Sequence, residues 1–424
     1  MTDARSCRPA PGRRGRLRPA AAALLATAAS AGLLTAAGTP AAADSGECSF
    51  PNTKYAGKPW SLQRVNLDEL WQQSTGKGVR VAVIDTGVDV KNPQLAHAVD
   101  AGAGHNFLPR KDGKGEPVPD RGNEQGTTDT VGHGTKVAGI IAARPLKGTG
   151  FVGLAPGATI IPLKQNDAQG DGNTTGLAQA ITYAVHEGAD VINISQDTAD
   201  AVAPEASLEQ AVEDAIRSGA VVVASAGNDG LGGNVKKTYP ASYPGVLAVA
   251  ASDRNNERAA FSQSSNEVGV AAPGVDMVST VPKGGHCSDD GTSFSAPYVA
   301  AVAALIKAKH EDWTPKEVVA QIEQTAERSI AGRDRLVGWG VVDPVRALTE
   351  DDHKVEEPVA HEGLVRAEAP SPAPLHLGET QAERNARLGT FVTVGAAVLV
   401  AALAGTGVAV RDARRRRRRV RGQA

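Results

Sequence analysis

Five short runs of apolar, β-branched residues constrain the fold of this chain most strongly. Each run ends in a polar residue or a glycine, as do strands that are buried on both faces. Segments with helical periodicity accompany the runs, and this alternation predicts right-handed crossovers and a mostly parallel sheet covered on both sides. We therefore predict an α/β fold. The predicted strands are 78–87, 159–164, 189–195, 220–228 and 245–252, and the predicted helices are Thr135–Ala143, Thr174–His186, Leu208–Ser218 and Phe294–His310.

The amino-terminal segment has the three parts of an export signal. Four arginines lie between positions 13 and 18, an apolar run follows over 20–37, and small residues lead up to Ala43. A basic region, an apolar region and a small-residue cleavage site are typical of a secretory signal peptide. We therefore predict a signal peptide at 1–43, which is removed after Ala43.

A second apolar run is long enough to cross a membrane. Residues 390–410 contain no charge, and a helix of this length, at about 1.5 Å per residue, spans a hydrocarbon core of about 30 Å. Arg411 and the run Arg414–Arg419 follow directly. Basic flanks stay in the cytoplasm, so we predict a single-pass membrane protein with a cytoplasmic tail at 411–424. The acidic, Pro- and Ala-rich segment 349–389 is interpreted as a linker.

The charge distribution argues against nucleic-acid binding by the central part of the chain. The net charge is −2, but residues 1–19 carry +5 and residues 411–424 carry +7, which leaves about −14 on residues 20–410. An acidic body with basic ends is not typical of a nucleic-acid-binding domain. The sequence also has no CxxC pair and no phosphate-binding loop. We expect neither a cofactor nor a metal.

The cysteines agree with export. Cys7 lies inside the predicted signal peptide and leaves with it. Cys48 and Cys287 remain as an even pair in an oxidising compartment. We predict a disulfide between them.

Four polar residues lie among small residues at the ends of predicted strands or the starts of predicted helices. In a parallel sheet, ligands bind beyond the carboxyl ends of the strands. Acyl transfer requires a hydroxyl nucleophile, a base, a carboxylate that orients the base, and a donor for the oxyanion. The set supplies all four: Asp85 in VAVIDTGVD, His133 in GHGTKVAG, Asn228 in ASAGNDG and Ser293 in GTSFSAPYV.

Each of these residues also has a simpler interpretation. Asp85 could form an Asx turn, Asn228 could occupy a left-handed turn, and Ser293 could cap a helix. Asp-Thr-Gly is also the motif of aspartic proteases, which need two such carboxylates. This chain contains one such motif, so that interpretation would require a dimer.

In their order along the chain, these motifs resemble those of the subtilase family of serine peptidases. The order Asp, His, Ser is that of subtilisin. The resemblance implies a subtilisin-like three-layer fold with a mostly parallel central sheet, a peptidase domain at 60–348, and hydrolysis of protein or peptide substrates. Besides VAVIDTGVD, GHGTKVAG and ASAGNDG, it rests on YPASYPGVLAVAASDRNNERAAFS, PGVDMVSTVP and GTSFSAPYVAAVAALI.

The resemblance also implies a role for each site residue. Asp85 would orient the base, His133 would act as general base and acid, and Ser293 would be the nucleophile. Asn228 would donate to the oxyanion together with the Ser293 amide. The implied substrate cleft is lined by Ser195, Gln196, Asp197, Ser225, Ala226 and Gly227.

The sequence departs from secreted subtilisins at three places. Lys136 stands where a second histidine is common, and Gln94 stands where the strongest calcium site has an acidic ligand. Gln-Asp-Thr after Ser195 replaces the usual Leu-Gly-Gly, so the resemblance implies no side-chain preference of the cleft.

The overall layout is similar to that of the mycosins, membrane-anchored subtilases associated with type VII secretion. The extension at 44–59 is too short for an independently folded inhibitory pro-domain. In mycosin-like proteins it wraps the peptidase domain, which would suit a bridge from Cys48 to Cys287. The resemblance implies a serine endopeptidase on the outer face of the cell membrane, with type VII secretion subunits as partners. The alternative is a structural subunit of the secretion complex.

Overall fold

The order of the strands positions the predicted site residues at one edge of a central sheet. In a computed structural model of the protein, seven strands run in the order β2-β3-β1-β4-β5-β6-β7, and all neighbouring strands are parallel. An antiparallel hairpin, β8-β9, lies outside this sheet. The strands are β1 Arg80–Asp85, β2 His105–Asn106, β3 Thr159–Lys164, β4 Val191–Ile194, β5 Val221–Ser225, β6 Leu247–Ser252, β7 Val268–Pro273, β8 Met277–Thr280 and β9 His286–Asp289.

The structure describes residues 48–111, 114–119, 121–167, 172–196, 206–232, 237–360 and 380–421. The predicted signal peptide at 1–43, Asp197 and residues 361–379 of the predicted linker lie outside these ranges. The chain divides into two units, Met1–Val359 and Ala360–Ala424.

The predicted helix at Thr174–His186 has the predicted bounds, and the other three begin two residues earlier than predicted. In each of these three helices, two residues before the predicted start belong to the first helical turn, which the apolar periodicity alone does not mark. The helices are α1 Trp60–Gln63, α2 Leu67–Gln73, α3 His133–Ala142, α4 Thr174–His186, α5 Ala206–Arg217, α6 Thr292–Lys309, α7 Pro315–Thr325, α8 Pro344–Thr349 and α9 Gln381–Arg421.

Alternate residues of the strands face two separate layers of helices. Val83 and Val223 belong to the apolar cluster that contains α3 and α6. Ile84 and Val222, their neighbours in the chain, belong to the cluster that contains α4 and α5. A strand buried on both faces has no polar alternation, and this explains the continuous apolar runs. The predicted three-layer α/β fold is confirmed.

The segment interpreted as a linker, 349–389, is structured at both ends. Asp351 forms 2.6 Å ion pairs with Lys309 and His310, so the first unit continues past Leu348. At the other end, α9 begins at Gln381 rather than at residue 390, because Thr380 and Glu383 cap its first turn and good helix formers follow. Residues 381–416 have a mean hydropathy of 2.1 in their most apolar stretch and are long enough to cross a membrane.

Candidate active site

Asp85 and His133 are joined by a short hydrogen bond. Asp85 is the last residue of β1, and His133 is the first residue of α3. The ring nitrogen Nδ1 of His133 lies 2.7 Å from Asp85 Oδ1, and the Thr86 amide donates to the same oxygen at 2.7 Å. Because a carboxylate can only accept here, Nδ1 carries the hydrogen and Nε2 is left as the basic nitrogen.

Glycine next to His133 allows the first turn of α3 to approach β1. A Cβ atom at Gly134 would overlap the carbonyl oxygen of Gly87 and would lie 3.1 Å from Asp85 Oδ1. Gly132 has φ 85°, and a Cβ there would overlap the ring of Phe50. The glycines on both sides of His133 therefore permit close approach, of Gly87 and Asp85 at Gly134 and of the Phe50 ring at Gly132.

Ser293 is the second residue of α6, and its side chain does not cap the helix. The N-cap is Gly291, and no side-chain capping bond forms there. The next residue, Phe294, has its ring centroid 5.3 Å from that of His133. Within the described part of the chain, the Ser293 hydroxyl makes no hydrogen bond to the His133 ring. Such bonds are often long in substrate-free enzymes and tighten when substrate binds.

The amide of Asn228 is oriented by the residue before Ser293. The backbone N–H and the hydroxyl of Thr292 both donate to Asn228 Oδ1, at 2.9 and 3.0 Å. Because both bonds end on Oδ1, they distinguish the oxygen of the Asn228 side chain from its NH2 group, which is the donor of this amide. The end of β5 and the start of α6 are thereby fixed to each other.

The predicted cleft residues follow two neighbouring strands at the same edge of the sheet. Ser195 comes directly after β4, and its hydroxyl accepts from the side-chain NH2 group of Asn193 at 2.8 Å. Gln196 turns back towards β1 and donates to the Ile84 carbonyl at 3.1 Å. The remaining described cleft residues, Ser225, Ala226 and Gly227, form the end of β5 and the two positions after it.

Opposing influences act on the protonation of His133. Burial lowers the pKa of its imidazole, but the charge and the hydrogen bond of Asp85 raise it, with a further contribution from the charge of Asp129. Lys136 lowers the same pKa. The sum raises the pKa above the ordinary value of 6.5, so this site favours the imidazolium ion.

The predicted disulfide between Cys48 and Cys287 is confirmed, with a Cα–Cα distance of 6.0 Å. The residues that follow Cys48 in the amino-terminal extension lie along the β8-β9 hairpin. The Asn52 amide donates to the Gly284 carbonyl, and the His286 amide donates to the Thr53 carbonyl, both at 3.0 Å. The bridge therefore fastens an extension that the hairpin also binds through its backbone.

Two positions that depart from secreted subtilisins are bonded within the protein. Lys136 forms a 2.7 Å ion pair with Asp289. Gln94 is buried, accepts from His286 Nε2 at 2.7 Å, and donates to the carbonyls of Arg144 and Phe151. Both of its polar atoms are thus used by protein groups.

Sequence reasoning missed Thr86, Asp129 and Thr292 as residues of this site. Thr86 and Thr292 are direct neighbours of Asp85 and Ser293, and Asp129 precedes His133 by four residues. A search for polar residues within one turn of each candidate would have found them.

The fold and the residues gathered at its carboxyl edge define the class of subtilisin-like serine endopeptidases. The chain belongs to the subtilase family, whose family model matches residues 76–340. It is 38% identical over 285 residues to subtilisin Savinase of Lederbergia lenta, covering 67% of this chain and 96% of that protein. It is 36% identical over 299 residues to thermitase of Thermoactinomyces vulgaris, covering 70% and 99%.

Mycosins are among the solved structures to which this chain is similar. The MycP3 protease from the type VII (ESX-3) secretion system has a TM-score of 0.61 and 33% identity, covering 71% of this chain and 90% of that one. MycP1 from Mycobacterium smegmatis has a TM-score of 0.61 and 32% identity, covering 74% and 90%.

Proposed function

We propose that this protein is a membrane-anchored, extracytoplasmic serine endopeptidase with Asp85, His133 and Ser293 as its catalytic triad. The observation that carries the proposal is the 2.7 Å bond between buried Asp85 and His133 Nδ1. It leaves His133 Nε2 as a base beside the helix turn that bears Ser293. The order Asp, His, Ser in the chain agrees with the family to which the protein belongs.

The proposed reaction begins when Ser293 Oγ attacks the carbonyl carbon of the peptide bond. His133 Nε2 takes the hydroxyl proton, and the Asp85 carboxylate stabilises the resulting imidazolium. The Asn228 NH2 group and the Ser293 N–H donate to the oxyanion of the tetrahedral intermediate, a role that contributes about 3 to 4 kcal/mol in comparable sites. His133 then protonates the leaving amine, and water activated by His133 hydrolyses the acyl-enzyme.

Protein or peptide substrates would bind along two strips at the carboxyl edge of the sheet. We assign one strip to residues 195–197 and the other to residues 225–227. Backbone groups of an extended peptide would pair with the backbone of these two segments, as in other cases of strand addition. Gln196, which donates to the Ile84 carbonyl, would narrow the first strip at its base.

Residues outside the peptidase domain would place the enzyme at the membrane. In this proposal, a signal peptide at 1–43 exports the chain, and the extension at 44–59 wraps the domain. The linker connects the domain to the span at 390–410 within α9, and the arginine-rich tail at 411–424 stays in the cytoplasm. Mycosin neighbours and the candidate span support a location at the cell membrane.

A link to type VII secretion rests on the neighbours. One of them is described as a serine protease, MycP1, that is an essential component of the type VII (ESX-1) secretion system. This description favours a second role for the present chain, as a structural subunit of a secretion complex. Secretion that persists in Ser293→Ala, while substrate processing stops, would separate the two roles.

Labelling with a serine-directed fluorophosphonate tests the proposed nucleophile. Ser293→Ala should abolish labelling and peptide hydrolysis. Ser295→Ala is the matched control, because Ser295 lies two residues further along the same helix and is fully buried. The Ser295→Ala variant should be labelled to the same extent as the wild type. Labelling that survives in Ser293→Ala would contradict the proposed triad, and inhibition by a statine-type mimic would support the aspartic alternative.

A further inference from the structure

A second buried carboxylate, Asp129, lies next to the Asp85–His133 pair. Its side chain is buried, and both of its oxygens accept hydrogen bonds. Oδ1 accepts from the Thr86 hydroxyl at 3.0 Å, the Val131 amide at 3.0 Å and the Gly132 amide at 2.8 Å, and Oδ2 accepts from the amide and hydroxyl of Thr135 at 2.9 and 2.7 Å.

All five partners of Asp129 are donors. The Thr86 hydroxyl accepts from the Gly134 amide, and the Thr135 hydroxyl accepts from the Asp89 amide, so each directs its own hydrogen at Asp129. Burial raises the pKa of Asp129 above 3.8, while the bonds from Thr135 and Gly132 oppose that rise. Since no partner can accept a carboxyl proton, the hydrogen-bond pattern fits the carboxylate ion.

Thr86 connects Asp129 to both members of the pair. Its amide donates to Asp85, and its hydroxyl bridges Asp129 to the Gly134 amide, which directly follows His133. Its carbonyl accepts from the buried ammonium group of Lys164 at 2.5 Å. One residue thus fixes the end of β1, the start of α3 and the end of β3 relative to one another.

We propose that Asp129 is a positioning residue for proton transfer by His133, acting through Thr86 on the geometry of the Asp85–His133 bond. The inference rests on the proposed function, because it concerns the same site. The rate of catalysis depends strongly on the positions of the reacting groups, and a displacement of about 1 Å can reduce it roughly 100-fold. The negative charge of Asp129 also favours the imidazolium ion that forms when His133 takes the serine proton.

The charged groups around His133 come from four elements. Asp85 on β1 and Asp129 before α3 favour the imidazolium, while Lys136 on α3 opposes it. Asp289 on β9 forms an ion pair with Lys136 and partly neutralises its charge. Lys164 on β3 donates to the Thr86 carbonyl. Removing the charge of Asp129 should therefore lower the pKa of His133.

The test replaces Asp129 with asparagine in the full chain. Asp129→Asn keeps the shape but turns an NH2 group towards groups that are themselves donors. We expect kcat to fall roughly 10- to 100-fold with KM changed less than about twofold. The acid limb of the pH profile of kcat/KM should move to lower pH.

Asp89→Asn is the matched control. Asp89 is also a buried carboxylate near α3, and it accepts from the amides of Lys91 and Lys283 at 3.0 and 2.6 Å. Its replacement should lower thermal stability while leaving the acid limb in place. An acid limb that stays at the wild-type pH in Asp129→Asn, or that moves equally in Asp89→Asn, would overturn the inference.

A titration of His133 by NMR in the Ser293→Ala background separates this inference from the proposed function, because it requires no activity. It should give a lower pKa for His133 when Asp129→Asn is added. Should Asp129→Asn fail to fold, Thr86→Ser and Thr86→Val provide the alternative pair. Serine keeps the bridging hydroxyl and should retain kcat, whereas valine removes it and should lose kcat. Equal kcat in the two would refute the role of Thr86.

Discussion

Lys136 Nζ lies 2.7 Å from Asp289 Oδ2, although the two residues are 153 positions apart in the chain. Lys136 is one helical turn from His133, and only 7% of its side chain is exposed, against 45% for Asp289. The pair therefore joins the helix that begins at His133 to the hairpin that carries Cys287.

This ion pair predicts opposite effects of its two members on the pH profile. Lys136→Met removes a cation that lowers the pKa of His133, so the acid limb of kcat/KM should move to higher pH. Asp289→Asn leaves Lys136 without its counter-charge, and the acid limb should move down. Shifts in the same direction would show that Lys136 affects His133 through packing rather than charge.

A larger part of the fold than of the site could be predicted from the sequence. The runs at 159–164 and 245–252 identified β3 and β6 because both of their faces are buried. The short strands β8 and β9 lack such runs and were missed. The helix Pro315–Thr325 was also missed, although Thr314 and Glu317 form a capping box that the sequence displays. The contact between Asp129 and Thr86 could not be predicted, because the two residues are 43 positions apart in the chain.

Removing the disulfide should destabilise the domain. Cys287→Ser opens a bridge between residues 239 positions apart, and loss of such a long loop closure costs about 2 to 5 kcal/mol. Urea denaturation should show a lower midpoint, and limited proteolysis should cut the freed extension. Cys7→Ser is the control, because Cys7 lies in the predicted signal peptide and should have no effect on the mature protein. Equal midpoints for Cys287→Ser and the wild type would refute this expectation.

The domain should lose stability as the pH falls towards 4, because of His286. Burial and the charge of Lys54 lower the pKa of His286 to about 4, and its ring accepts from the Tyr55 amide and donates to Gln94. The unfolded chain binds the proton from about pH 6.5 downwards, whereas the folded chain resists it until about pH 4. The free energy of unfolding should therefore fall by about 3 kcal/mol across this interval.

His286→Gln tests this dependence, because glutamine can both donate and accept at this position without titrating. The difference in unfolding free energy between pH 7 and pH 4.5 should shrink in the variant. His97→Gln changes an exposed histidine and should behave like the wild type. If His286→Gln retains the full difference, other groups are responsible for the loss at low pH.

Truncation should define where the peptidase unit ends. A chain that stops after Val359 lacks the candidate span and should appear in the soluble fraction with unchanged kcat/KM. A chain that stops after Leu348 also loses the pairs of Asp351 with Lys309 and His310. Its melting temperature should be lower by roughly 3 to 6 °C, as expected for a loss of about 1 to 2 kcal/mol. Equal melting temperatures would show that residues 349–359 do not contribute to stability.

The bridge between Cys48 and Cys287 has a consequence for a peptidase that encounters copies of itself. A self-inflicted cut at any surface loop between these residues would leave two polypeptide pieces linked through sulfur. When the cut falls after His133, the upstream piece contains Asp85 and His133 and would remain attached to the piece that contains Ser293 and the candidate membrane span. Damaged molecules would then migrate as intact chains on a gel until a reducing agent is added.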